Sequence, residues 1–154
     1  MDTERFQRVM ERVYGGKKPE PGENSERERL TRCLTACRRT IDIMSTLSDR
    51  SPVCGRMLRP AVVSARRRER EMQTEYYLRY GDVLSAGRSP LSQTGTLRLL
   101  REGCLAAKEE ADAYARAADG SAREASERWR LYEAQARTAE KLCRTLLEQA
   151  MGKE

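Results

Sequence analysis

Histidine is absent from all 154 residues, so any chemistry must be built without imidazole, from cysteines, carboxylates, tyrosines, hydroxyls, lysines and arginines. Without imidazole no side chain has an unperturbed pKa near neutrality, and neither a Ser/His or Cys/His nucleophile pair nor a histidine-bearing metal site can be assembled. Cys33 and Cys37 stand one helical turn apart, and Cys104 and Cys143 fall on helical faces that could meet them. Such a set could be a thiolate metal site or a redox cluster. Small buried hydrophobes are the plainer reading, because free cysteine packs readily in cores and the spacing is not that of a zinc site. Glu109 and Glu110 are neighbours in sequence, and adjacent residues diverge on a helix, which argues against a joint acid and base. Tyr76, Tyr77 and Tyr80 beside Arg79 could stack on bases, although tyrosines at a helix end commonly cover the edge of a bundle. No glycine-rich phosphate loop, Walker motif or GxSxG elbow occurs, and no cofactor is implied.

Charge offers a different kind of chemistry. Residues 50–70 carry Arg50, Arg56, Arg59, Arg66, Arg67, Arg68 and Arg70 against Glu69 alone, an excess equal to the +6 of the whole chain. Arginine forks match phosphates and carboxylates, so Arg56, Arg59, Arg66, Arg67 and Arg70 form a candidate basic patch. A charge run on a helix is also the ordinary solvated face of a soluble protein.

These residues need helices to position them. Aromatics make up 5% of the chain, and Ala, Leu, Arg and Glu dominate, a composition that predicts an all-α fold in one domain. Glu4 to Tyr14 reads as a short amphipathic helix with Phe6, Val9, Met10 and Val13 on one side, stopped by Gly15 and Gly16. Lys17 to Asn24, with Pro19, Pro21 and Gly22, reads as a linker, so residues 1–24 are set apart from a bundle over 25–154. Ser25 and Glu28 have capping-box spacing at the head of a first long helix that runs to about Leu47. Ser51 followed by Pro52 opens a second, running to about Tyr80 before Gly81, with a kink or restart expected near Pro60. Gly81 to Thr96 is a long connection. A third helix spans about Leu97 to Ala118, Asp119 and Gly120 turn the chain, and a fourth runs from Ser121 or Ala122 to Ala150.

Three-four spacing gives each helix a seam. The first carries Leu30, Cys33 or Leu34, Cys37, Ile41, Met44 and Leu47; the third, Leu97, Leu100, Cys104, Ala107, Ala111, Tyr114 and Ala118; the fourth, Tyr132, Ala136, Ala139, Cys143, Leu146 and Ala150. The second carries Leu58, Ala61, Ala65, Arg68, Met72 and Tyr76, and a competing seam through Val62, Ala65, Glu69 and Met72 also contains a charge. The middle of that helix is therefore either partly wet or the seat of a buried ion pair. A shift of 70 residues lays Leu30 on Leu100, Ala36 on Ala106, Cys37 on Ala107, Asp42 on Asp112 and Met44 on Tyr114, the pattern of a duplicated helical hairpin joined by a crossover.

The sequence resembles the rubrerythrin-like branch of the ferritin-like proteins from the first long helix to the end. The resemblance rests on Met1-Asp2 with Phe6, Arg8, Val9 and Arg12-Val13, on Glu75-Tyr76-Tyr77 before Gly81, on Leu105, Ala111 and Tyr114, and on Arg144 with Leu146-Leu147-Glu148. It implies a four-helix bundle of two hairpins joined by a long crossover, with two metals held by a Glu on each of two helices and a Glu-x-x-His on each of the others. The positions implied for those ligands are Cys37, Ala65 and Arg68, Ala107, and Ala136 and Ala139, none of which is Glu or His. The resemblance thus implies a bundle that has lost its metals. An inward Arg68 would then need a carboxylate, and Glu110 or Glu69 could supply it.

The favoured function on these grounds is non-catalytic: a metal-free bundle acting through a protein partner or by self-association. A divergent metal-binding oxidoreductase of the same fold and an Arg-rich nucleic-acid-binding protein are the alternatives. The last is weakened by the absence of a recognition-helix signature. Apolar runs are too short to span a membrane, Met1 to Arg5 lack the order of a signal peptide, and five cysteines without CxxC spacing suit free thiols in a cytoplasmic setting.

Overall fold

The computed structural model describes Thr3 and residues 21–85, 91 and 94–152, with side chains from residue 26 onward. The short helix expected over residues 4–14 and the start of the linker lie outside the described residues. Four helices make up the fold: α1 (Pro21–Arg50), α2 (Pro52–Tyr80), α3 (Thr96–Asp119) and α4 (Arg123–Gly152). Among the described residues there is no strand, and no helix is long and apolar enough to cross a membrane.

The helix ends follow local chemistry, with one correction. At the head of α2, Ser51 has extended backbone and its hydroxyl accepts from the Cys54 amide at 3.4 Å, with Pro52 at the first helical position. Gly81 closes α2 in the left-handed region at φ 67°, a conformation glycine adopts without a Cβ clash. Ser25 does not cap α1. The helix already begins at Pro21, whose fixed φ suits a first turn, so the expected boundary at residue 24 falls inside the helix. Pro60 does not restart α2, which runs unbroken from Pro52 to Tyr80. Arg56, Arg59 and Pro60 are exposed, so water can serve the carbonyl that loses its donor.

Side-chain pairs fix how the helices lie. Arg79 meets Glu26 at 3.3 Å and Arg27 meets Tyr76 at 3.1 Å, so α1 and α2 are antiparallel. Arg137 meets Asp112 at 3.0 Å across the second antiparallel hairpin, α3 and α4. A Cβ added to Gly103 would lie 3.2 Å from Cys143 Sγ and 3.4 Å from Ile43 Cγ2, so α3 approaches both α4 and α1 closely at this glycine. Arg128 reaches Glu75 at 2.7 Å and Arg68 reaches Gln135 at 3.1 Å, which sets α4 antiparallel to α2. Neighbours around the bundle are therefore antiparallel, while α2 and α3 run parallel and need a connection that returns along its length. Arginines of α1 hold that connection by its carbonyls: Arg38 donates to Leu84, and Arg50 donates to Leu91 at 3.0 Å and to Thr94.

Burial follows the seams with informative exceptions. All residues of the α1 seam are buried, as are those of the α2 seam through Arg68. The competing α2 seam fails at Glu69, which is half-buried. Leu97 and Ala150, in terminal turns, are exposed, and Cys104 is only half-buried. Because α3 packs against two neighbours, it buries a second row as well: Leu99, Gly103, Ala106, Glu110, Ala113 and Ala117.

Candidate functional site

Arg68 and Glu110 are both fully buried and sit near the middle of their helices. Arg68 donates from Nη2 and Nε to Glu110 Oε2 at 2.9 and 3.1 Å, and from Nη1 to Ser64 Oγ at 2.9 Å and Gln135 Oε1 at 3.1 Å. The Tyr114 hydroxyl, one turn beyond Glu110 on α3, donates to the same Oε2. The guanidinium also lies 5.9 Å from the centre of the Tyr114 ring. Burial works against the Arg68 charge, but the Glu110 carboxylate more than offsets it and holds the guanidinium protonated above its ordinary range. Tyr114 is pushed the same way, well above the ordinary phenol, by burial and by Glu110.

The surroundings are shaped for this bulk. Ala65, Ala107, Ala111, Ala136 and Ala139 are buried small residues, while Tyr114, Trp129 and Tyr132 form an aromatic cluster with ring centres 5.5–5.9 Å apart. Along the α2 and α4 contact the cluster continues into polar pairs: Tyr132 donates to Glu71, Arg67 pairs with Glu71 at 3.3 Å, and Arg128 pairs with Glu75. Glu69 does not join the centre. It faces the other way, 3.6 Å from Arg38.

All six positions implied for metal ligands, Cys37, Ala65, Arg68, Ala107, Ala136 and Ala139, are buried, and two of them touch: the Cys37 thiol donates to the Ala65 carbonyl at 3.3 Å. Those residues do not fit two metals. The carboxylate at the centre is Glu110, whose Oε2 already accepts from Arg68 and Tyr114, leaving Oε1 as its buried atom without a partner. A fixed guanidinium against that carboxylate repels a second cation. Among the described residues no cluster of three or more Cys, Asp or Glu side chains is placed to hold a metal ion.

The thiols do not form the cluster that Cys33, Cys37, Cys104 and Cys143 could have made. Cys143 instead feels Cys104 and Cys54, and all five are free. Burial, with Glu110 adding to it, pushes Cys33 up to about 12; burial pushes Cys143 up to about 12 and raises Cys37 and Cys104 as well. Groups held protonated in this way are poor nucleophiles and poor ligands. Glu109 is exposed and diverges from buried Glu110. Tyr76 and Tyr80 pack edge to face at 5.0 Å beneath Arg27, which lies 4.8 Å from the Tyr80 ring, so they cover the bundle edge and only Tyr77 is largely open.

The basic patch is on the outside. Arg56, Arg59, Arg66, Arg67 and Arg70 are all exposed. Arg67 pairs with Glu71 and Arg66 reaches Ser45 Oγ at 3.4 Å. A groove of about 1030 Å³ lined by Arg38, Arg39, Asp42, Glu69 and Arg70 lies beside α1 and shares no residue with the Arg68 centre.

Periodicity alone does not bring Gln135, Ser64 and Trp129 to this centre. Ser64 stands one turn before Arg68, and Tyr114 one turn after Glu110, a spacing that would have joined both to the ion pair. Gln135 carried no such signal. Comparison with protein-family models, curated proteins and solved structures finds no match to the chain.

Proposed function

We propose that this chain is a metal-free, ferritin-like helical bundle that works by binding other protein, as a scaffold or by self-association, and not by catalysis. Two antiparallel hairpins joined by a lengthwise crossover support the comparison with that fold. The observation that carries the functional half is the Arg68 guanidinium, seated among the positions where metal ligands would stand and satisfied by Glu110, Ser64 and Gln135. Its charge and bulk replace a metal centre with a structural cross-link between α2, α3 and α4. The thiols nearby are held protonated by burial, so they supply no substitute reactive group.

The test is elemental analysis of the protein expressed in iron- and zinc-supplemented medium and purified without chelator. Metal well below one ion per chain is the expected result, and sedimentation of the same sample separates self-association from a monomeric scaffold. Two ions per chain would overturn the proposal and bring a divergent oxidoreductase forward.

A further inference from the structure

Trp129 is the single tryptophan of the chain, and it touches two tyrosines. Its ring centre lies 5.9 Å from that of Tyr114, with the planes 21° apart, and 5.7 Å from that of Tyr132, edge to face at 81°. The two phenol rings are themselves 5.5 Å apart. Each phenol donates to a carboxylate, Tyr114 to Glu110 and Tyr132 to Glu71. Aromatic rings in contact exchange electrons readily. A phenol that loses an electron becomes a strong acid, so a carboxylate already at its hydroxyl lets the proton leave with the electron.

The two phenols are chemically alike, but their acceptors are not. Glu110 is fully buried and its charge offsets that of Arg68. A proton placed on Glu110 would leave the guanidinium buried without a counter-charge, which costs several kcal/mol. The same guanidinium, 5.9 Å from the centre of the Tyr114 ring, opposes a positive hole there. Glu71 is 46% exposed and pairs with Arg67, itself 77% exposed. An exposed pair of that kind is worth little, so neutralising Glu71 strands nothing. Arg128 lies 4.6 Å from the centre of the Trp129 ring and disfavours a cation radical on the indole, which drives the hole onward. A neutral tyrosyl radical carries no such charge, so Arg128 at 5.9 Å from the Tyr132 ring does not oppose it. The Cys37 thiol offers no rival sink, since it donates to the Ala65 carbonyl, which is not a base. Burial and Glu71 also hold the Tyr132 phenol neutral above its ordinary range, so its electron must leave together with its proton.

We infer that Tyr132 is the site where one-electron oxidation of this protein comes to rest: an outer-sphere one-electron oxidant takes an electron from Trp129, the indole radical cation recovers it from Tyr132, and the phenolic proton passes to Glu71. The step balances within the site. The oxidant gains one electron, the O–H bond of Tyr132 breaks, an O–H bond forms on Glu71 Oε2, and the products are a neutral tyrosyl radical and a neutral carboxylic acid. A one-electron reductant returns the electron and Glu71 returns the proton. The inference goes beyond the protein-binding function proposed above and does not depend on it.

The test is flash photolysis of the full chain with ruthenium tris-bipyridyl and a cobalt(III) quencher as the photo-oxidant, following the indole radical by transient absorption. Because Trp129 is the only tryptophan, that signal reports one residue. In the parent the indole signal should decay as a tyrosyl signal rises, more slowly in deuterated water. Tyr132→Phe and, separately, Glu71→Gln should each lengthen the life of the indole radical at least about tenfold, while Tyr114→Phe leaves it within about twofold. Glu71→Gln keeps an acceptor oxygen for the phenol and removes only the base, and denaturant midpoints show that each variant is folded. An indole signal that fails to form, a lifetime unchanged in Tyr132→Phe or Glu71→Gln, no isotope effect, or a lifetime lengthened by Tyr114→Phe would each overturn the inference. Metal content decides the proposed function separately, so a metal-free chain that fails this test would retain that function and lose this site.

Discussion

Arg68 and the outward arginines of α2 share one helix and one side-chain chemistry, yet they stand in opposite circumstances. Arg68 is 1% exposed and its guanidinium is met by Glu110, Ser64 and Gln135, while Arg56, Arg59 and Arg70 point to solvent without a carboxylate. The difference teaches that the basic excess of residues 50–70 is not one feature. Its inward member cross-links three helices, and its outward members leave charge available to something else. The sharpest way to break the comparison is Arg68→Ala, which strands Glu110 as an uncompensated buried charge. Losing one partner of a buried pair costs about 3–5 kcal/mol. For a domain of this size, each kcal/mol moves the midpoint by roughly 2–4 °C, so thermal unfolding should drop on the order of 6–20 °C. Arg68→Met with Glu110→Leu should recover most of it, because two apolar groups leave no charge behind. If the single variant unfolded like the parent, the structural role of the pair would be lost.

A second consequence of the buried face is alkaline sensitivity. Cys33 and Cys143 rise from the ordinary 9.0 to about 12 on burial. Unfolded thiols release protons above about pH 9, whereas the folded protein keeps them until about pH 12. Between those values the native state therefore binds more protons and stability falls as pH rises, by about 1.4 kcal/mol per pH unit for each such thiol. Urea midpoints should be level below pH 9 and decline from there toward pH 11. Cys33→Ala with Cys143→Ala lowers stability at pH 7 and should make that decline shallower without abolishing it, because Cys37 and Tyr114 are raised by burial as well.

The same inward and outward division explains what could be read from sequence. Four long helices, the Ser51-Pro52 start and the Gly81 stop were legible because caps and terminators act locally. The α1 seam was legible because Leu30, Cys33, Ile41, Met44 and Leu47 are apolar at regular spacing. The second buried row of α3 was not, since Gly103 and Glu110 interrupt it with a missing side chain and a charge. Glu110 stood out as half of the Glu109-Glu110 pair and as a candidate partner for Arg68; that Oε2 gathers Arg68 and Tyr114 while Oε1 stays unpaired depends on helix rotation, which periodicity does not specify. The Glu69 alternative shows the limit: it neighbours Arg68 in sequence, but the helical turn of about 100° per residue sends it to Arg38.

Arg50 belongs to the basic stretch by sequence and to the crossover by structure, donating to the carbonyls of Leu91 and Thr94. Arg50→Ala should lower stability by about 1.5–3 kcal/mol, the net worth of hydrogen bonds that involve a charged group. Its clearer signature should be faster proteolysis within the connection between α2 and α3, since those carbonyls lose their anchor. Unchanged cleavage kinetics would mean the connection is held by other contacts.

The smallest expected effect on folding comes from the outward row. Arg59→Gln, Arg66→Gln and Arg70→Gln remove exposed charges with no carboxylate partner, and surface changes of that kind ordinarily shift stability by no more than about 0.5 kcal/mol. Mutual repulsion among closely spaced arginines even gives the triple variant a slight gain at low salt, which screening should erase. Chemical denaturation at about 20 mM and 300 mM salt measures both parts. A parent midpoint that rises with salt while the variant's stays level would identify the row as self-repelling charge that the fold tolerates. A variant that loses several kcal/mol would instead place these arginines in the same structural class as Arg68, and the division drawn across α2 would collapse.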